Sequence, residues 1–157
     1  VWWVDILASR QLWHDLRTGE TGELPTTGHV GAAVPRQDGG FVLCLPDGPV
    51  LADPDRVVTP LGGYSEADLE AEVPHSDTAI RSNDAKADQA GRLWLGTMAY
   101  DETPGAGALY RLDPRAPRPV LVLDGVTIAD IASNRDQLLD RILPLQEGIV
   151  SPKGARA

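Results

Sequence analysis

A strand–turn–strand unit that occurs three times constrains this chain more than any other feature. Val1-Trp2-Trp3-Val4-Asp5-Ile6 is followed by Gln11-Leu12-Trp13-His14-Asp15-Leu16. Gly40-Phe41-Val42-Leu43-Cys44-Leu45 is followed by Val50-Leu51-Ala52-Asp53-Pro54. Gly91-Arg92-Leu93-Trp94-Leu95-Gly96 is followed by Ala108-Leu109-Tyr110-Arg111-Leu112-Asp113-Pro114. In each unit an inner apolar strand leads to an outer strand ending near Asp. The units recur at very roughly 40–50 residues, the spacing of propeller blades. A blade is a small sheet that cannot bury its faces alone, so successive blades must stack. A β-sandwich also uses many short strands, but the recurring unit favours the propeller. The expected fold is all-β, an incomplete propeller of about three blades.

The rest of the pattern agrees. Gly (16 residues) and Pro (13 residues) are spread along the chain and separate short apolar runs, as turns between strands do. Further runs are Val30–Val34 and Val120–Leu123. Phe41–Leu45 is apolar at every position, which predicts a strand covered from both sides. Two stretches depart from the pattern. The acidic run Ser65–Glu72 reads as a solvated loop or a single helical turn. After Ala132, Ser133 is placed to cap a helix with Leu138, Leu139, Ile142 and Leu143 on its apolar side, while Ser151–Gly154 reads as disordered. The expected division is therefore a partial propeller over 1–131 and a divergent tail over 132–157.

Charge and composition narrow the function classes. Fourteen Lys and Arg against 23 Asp and Glu give a net charge of −9. Nonspecific binding to nucleic acid or to an anionic membrane needs the opposite sign. No apolar run approaches the roughly 18–20 residues of a membrane helix. The single cysteine, Cys44, cannot form an intrachain disulfide and reads as a small buried hydrophobe, and the expected setting is cytoplasmic. The chain opens inside a strand pattern with no initiator Met, so the expectation is a fragment or truncated frame. An open ring would expose sheet edges and invite self-association.

Chemistry concentrates in Ile80–Met98. Arg81, Asn83, Asp84, Lys86 and Asp88 crowd just before an apolar strand. By itself this is a polar turn feeding a strand. Period-two spacing puts Arg81 and Asn83 on one face, where their fixed donors suit a hydroxylated ligand. Elsewhere, His75 and Asp77 have a spacing compatible with a metal, although a histidine beside Pro74 reads as an exposed loop residue. His14 and His29 have no partner apparent. Trp2, Trp3, Trp13 and Trp94 read as packing residues.

The run Arg81-Ser82-Asn83-Asp84-Ala85-Lys86 resembles the family of senescence marker protein (regucalcin), gluconolactonase and luciferin-regenerating enzyme. Further matches are Trp3-Val4-Asp5-Ile6, Gly96-Thr97-Met98, Gly107–Asp113 and Leu123–Ile128. They extend from Val1 to about Asp130 in the family's order and spacing. The resemblance implies a six-bladed propeller, a divalent metal (calcium or zinc) in its channel, and hydrolysis of a sugar lactone. By the same resemblance, Arg81 and Asn83 contact substrate, and Asn83 lies near the metal. Asp101 falls where an acidic residue meets the lactone's hydroxyls, with Glu102 competing for that role.

The metal cage transfers poorly. Asp130 stands where the family has an Asn ligand, in Asp124-Gly125-Val126-Thr127-Ile128-Ala129-Asp130-Ile131. A carboxylate oxygen there suits a hard cation, but the family's following Gly is Ile131. The family's Glu ligand lies upstream of the position of Val1. Its second carboxylate, also the proposed general base, belongs to a later blade that nothing after Asp130 resembles. In the family's mechanism the metal lowers the pKa of a bound water, in favourable cases to about 7, and a carboxylate takes the proton. Losing an outer partner of such a site alone costs about 10–100-fold. The expectation is thus a sugar-lactone hydrolase with weak or absent activity and no catalytic residue assigned. The alternative is a noncatalytic metal- or sugar-binding remnant, or a truncated pseudo-enzyme.

Overall fold

The structure, a computed structural model, describes residues 1–64, 68–69 and 79–127. Asp130, His75, Asp77, the boundary between 131 and 132 and the helix expected in the tail all lie outside the described residues. Among the described residues no helix is long and apolar enough to cross a membrane.

The chain forms three sheets in succession. The first is an antiparallel meander of β1 (Trp2–Asp5), β2 (Arg10–His14) and β3 (Thr21–Pro25). The second is a four-stranded meander of β4 (Ala32–Pro35), β5 (Phe41–Leu45), β6 (Gly48–Ala52) and β7 (Val58–Pro60). The third has the antiparallel order β9 (Ile80–Ala87), β10 (Leu93–Ala99), β11 (Gly107–Asp113) and β12 (Ala116–Val126). A short β8 (Asp68–Leu69) joins the free side of β12 in parallel.

Every apolar run of the repeat became a strand, and the second and third sheets each add a strand ahead of it, β4 and β9. Three readings need correction. Ile80–Ala87 is an eight-residue strand, not a turn, because its backbone pairs with β10 along its length. Thr21 and Gly22, in a Gly-containing segment after an apolar run where a turn is expected, open β3 instead. Asp68 and Leu69, read within a loop or helical turn, form a strand on the sheet edge.

Packing follows the period of two. The middle sheet is covered on both faces, as the apolar run Phe41–Leu45 predicts. Leu43, Leu45 and Val50 pack with Val4 and Leu24 of the first sheet. Cys44, Ala32 and the flanking Val42 and Val34 pack with Leu93, Leu95, Tyr110, Leu112 and Leu121 of the third. Leu43, Cys44 and Leu95 are wholly inaccessible to solvent. Burial pushes the Cys44 thiol up to about 12, so it stays protonated and fills space, as expected of a small hydrophobe. Consecutive sheets thus share cores in chain order, as stacked blades do.

One clasp fixes the start of the third sheet. Asp88 sits in the β9–β10 turn and accepts from the backbone N–H of Ala90 (2.9 Å) and Arg92 (3.0 Å). It also accepts from Arg92 Nε (2.7 Å) and Trp94 Nε1 (3.0 Å). Burial opposes the charge, but these donors outweigh it and hold the carboxyl down at about 2. A carboxyl lowered in the fold adds stability above its unfolded value, and that stability is lost as pH falls through the folded value. Asp88→Ala is expected to cost about 1–3 kcal/mol near neutrality. Its melting temperature should also fall less steeply than the parent's between about pH 4 and pH 2. Parallel pH dependences in thermal melts would contradict this role.

Candidate functional site

The site begins with an irregularity in β9. Gly96 of β10 pairs with Asp84 and Thr97 pairs with Ser82, so the register passes over Asn83. One extra residue in a strand is a β-bulge, which re-aims a side chain and is common beside active sites. Ser82 is fully buried. Arg81 and Asn83 are half-buried neighbours, with Arg81 Nη1 donating to Asn83 Oδ1 at 3.4 Å and to the Ser82 carbonyl at 3.1 Å. The expected pair is therefore brought together, and the bulge sets its geometry.

The bulge is held from behind. Gly31, just ahead of β4, donates its N–H to the Cys44 carbonyl (2.9 Å) and packs on the backbone of β9. A Cβ at Gly31 would overlap the Ser82 carbonyl and stand 2.9 Å from the Asn83 nitrogen. Only glycine allows this approach, and it ties the second sheet to the position of Asn83.

Asp101 lies at the same end of the third sheet, since Arg81 pairs with Met98 and Asp101 follows β10 by two residues. Its Oδ1 accepts from Thr103 Oγ1 (2.7 Å) and Thr103 N–H (3.0 Å). The Thr103 hydroxyl and then its N–H lower the Asp101 pKa. Asp101 is thus a persistent anion, fit to accept from hydroxyls and a weak base. Its neighbour Glu102 has the left-handed φ of 60°, unusual for a residue with a Cβ. Glu102, and not Asp101, lines a cavity of about 350 Å³ with Met98, Thr103, Pro104, Val126 and Thr127. In sequence Glu102 competes with Asp101 for one role; the backbone conformation that separates them has no sequence signal.

Metal ligation is a separate matter. Among the described residues no group of three or more His, Cys, Asp or Glu side chains could hold an ion. The described donors therefore do not fit a metal centre by themselves.

The three sheets, stacked in chain order about shared cores, define an incomplete β-propeller with the Arg81–Asn83 pair on the bulged strand of its third sheet. The SMP-30/gluconolactonase/LRE-like model matches residues 1–136, and the chain belongs to this family. It is similar to a 6-deoxy-6-sulfogluconolactonase from Pseudomonas putida, 28% identical over 137 residues, 87% of this chain and 44% of that protein. It is 36% identical to a regucalcin from Danio rerio over 115 residues, 71% of this chain and 36% of the relative. Among solved structures, a calcium-binding regucalcin from Agrobacterium tumefaciens superposes with a TM-score of 0.62 at 26% identity, covering 79% of this chain and 39% of that one. The chain thus spans less than half the length of these relatives.

Proposed function

We propose that this chain is the substrate-holding part of a sugar-lactone hydrolase. The observation that carries the reading is the Arg81–Asn83 pair on the bulged β9, at the same end of the sheet as Asp101. A lactone presents a ring ester and several hydroxyls. Arg81 supplies fixed donors to the ester oxygens, Asn83 supplies a donor and an acceptor, and ionised Asp101 accepts from hydroxyls. This arrangement orients a ligand. It contains no poised general base, because the Thr103 hydroxyl and N–H lower the pKa of the one carboxylate it includes.

The family resemblance adds a divalent cation, calcium or zinc, with Asp130 as a ligand and Asn83 close by. The Agrobacterium relative's description as calcium-binding supports that addition. The family's two carboxylate ligands have no counterpart among the matched runs of this sequence. We therefore expect the 157 residues by themselves to turn lactone over weakly or not at all. A cytoplasmic setting, a fold bounded near residue 131 and self-association through open sheet edges belong to the same proposal. Initial rates of ring opening should be followed with added calcium, zinc or manganese and with chelator. Little or no chelator-sensitive turnover is expected. Robust turnover that chelator abolishes would overturn the expected impairment and leave the lactone reading intact.

A further inference from the structure

We propose that the chain carries a second small-molecule site, for a polyhydroxylated carboxylate such as a sugar acid, between its first and second sheets. The ligand class follows from the lining alone and does not rest on the lactone-hydrolysis reading. The cavity there is about 610 Å³, within the range of small-ligand pockets. Its lining includes Trp2, Trp13, His14, Phe41, Asp53 and Arg56. It lies at the opposite end of the sheets from Arg81 and Asn83. The second sheet's Cys44 end, through Gly31, is the end that meets Ser82 and Asn83. The cavity opens at the other end, where Phe41 pairs with Ala52.

The aromatic walls are fixed in place. Trp2 meets Phe41 edge-on, with centroids 5.3 Å apart and planes at 74°. The Trp13 indole lies so close to Gly22 that a Cβ there would stand 2.5 Å from it. Such faces bury the C–H groups of a polyhydroxylated carbon chain.

The charged rim is built just as specifically. Arg56 has a left-handed φ of 67°. Its N–H donates to the Asp53 carbonyl (2.9 Å), and Val57 N–H donates to Asp53 Oδ1 (2.8 Å). This closed turn presents the guanidinium 5.9 Å from the centre of the Trp13 ring. Among the described residues no carboxylate is ion-paired with Arg56, while the nearby Asp15 is engaged by Arg17 at 3.6 Å. With no ion-paired carboxylate among the described residues, a guanidinium stacked on an indole can fork onto the carboxylate of a ligand. The second oxygen of Asp53 and the imidazole of His14 supply partners for hydroxyls.

The test is a calorimetric and tryptophan-fluorescence titration of the full chain with gluconate, glucitol and benzoate. Gluconate should bind saturably, and glucitol, which lacks the carboxylate, about tenfold or more weakly. Arg56→Gly, which suits the left-handed backbone, should weaken gluconate by about tenfold or more without lowering the melting temperature. Arg56→Asn, also tolerated there, should behave alike. Arg81→Ala should leave this binding in place. Undiminished gluconate affinity in both Arg56 variants would overturn the proposal, as would tighter binding of benzoate than of gluconate. Loss in Arg81→Ala alone would move the binding to the other end of the sheets, overturning this site while supporting the first one.

Discussion

Arg81→Ala is expected to weaken binding of a sugar lactone, or of its non-hydrolysable lactam, by about 10–100-fold. A hydrogen bond to a charged group contributes about 1.5–3 kcal/mol, and about 1.4 kcal/mol is tenfold in affinity. Folding should barely register the change, because among the described residues the Arg81 side chain bonds only to the Ser82 carbonyl and the Asn83 amide oxygen. Arg81→Lys should recover part of the loss, since it keeps the charge but not the planar fork. Asn83→Ala should cost less, about 2–10-fold, as expected for a neutral hydrogen bond. Calorimetric titration of the four proteins checks the series. Equal affinities for parent and Arg81→Ala would remove this residue from the site.

Gly31→Ala is expected to damage stability and ligand affinity together. Its φ lies outside the left-handed region, so alanine is conformationally acceptable and even favourable for the unfolded-state entropy. The obstacle is contact. The new methyl would overlap the Ser82 carbonyl and press on the Asn83 nitrogen, and both are backbone atoms that cannot swing aside. Relief requires β4 and β9 to separate, at about 1–3 kcal/mol for an overpacked core. The separation acts on the bulge itself, so lactam affinity should fall too. Gly96→Ala is the matched control, because its Cβ would meet nothing nearer than the Asp84 carbonyl at 3.9 Å. Thermal melts should separate the two variants clearly. If Gly31→Ala melts with Gly96→Ala, the close approach of β4 to β9 does not position the site.

The sequence made some of this readable and hid the rest for identifiable reasons. Phe41–Leu45 declared its two-faced burial, since apolar residues at odd and even positions need cover on both sides of a sheet. The same logic failed for β9. Arg81, Asn83, Asp84 and Lys86 leave Ser82 as the strand's only fully buried side chain, so local composition reads as a turn. Pairing with the apolar β10, a longer-range effect, makes it a strand. The Asn83 bulge depends on register and the Glu102 conformation on loop closure, so neither has a local signature. Spacing pairs Arg81 with Asn83 and the family resemblance adds Asp101; the fold puts the first two in the half of β9 that ends beside the loop of Asp101. The cavity at Trp13 and Arg56 was hidden because those residues meet only when consecutive sheets stack. The exposure of Trp2 (49%) and Trp3 (46%) also limits the expectation that they serve only as packing.

On the proposed function, the bulged β9 and the loop after β10 together hold a sugar lactone. Backbone amide shifts recorded during titration with a sugar lactam test it most directly. Saturable shifts should concentrate at residues 80–84 and 100–104 and disappear in Arg81→Ala. A saturable response confined to other parts of the three sheets, with 80–84 unmoved, would contradict it.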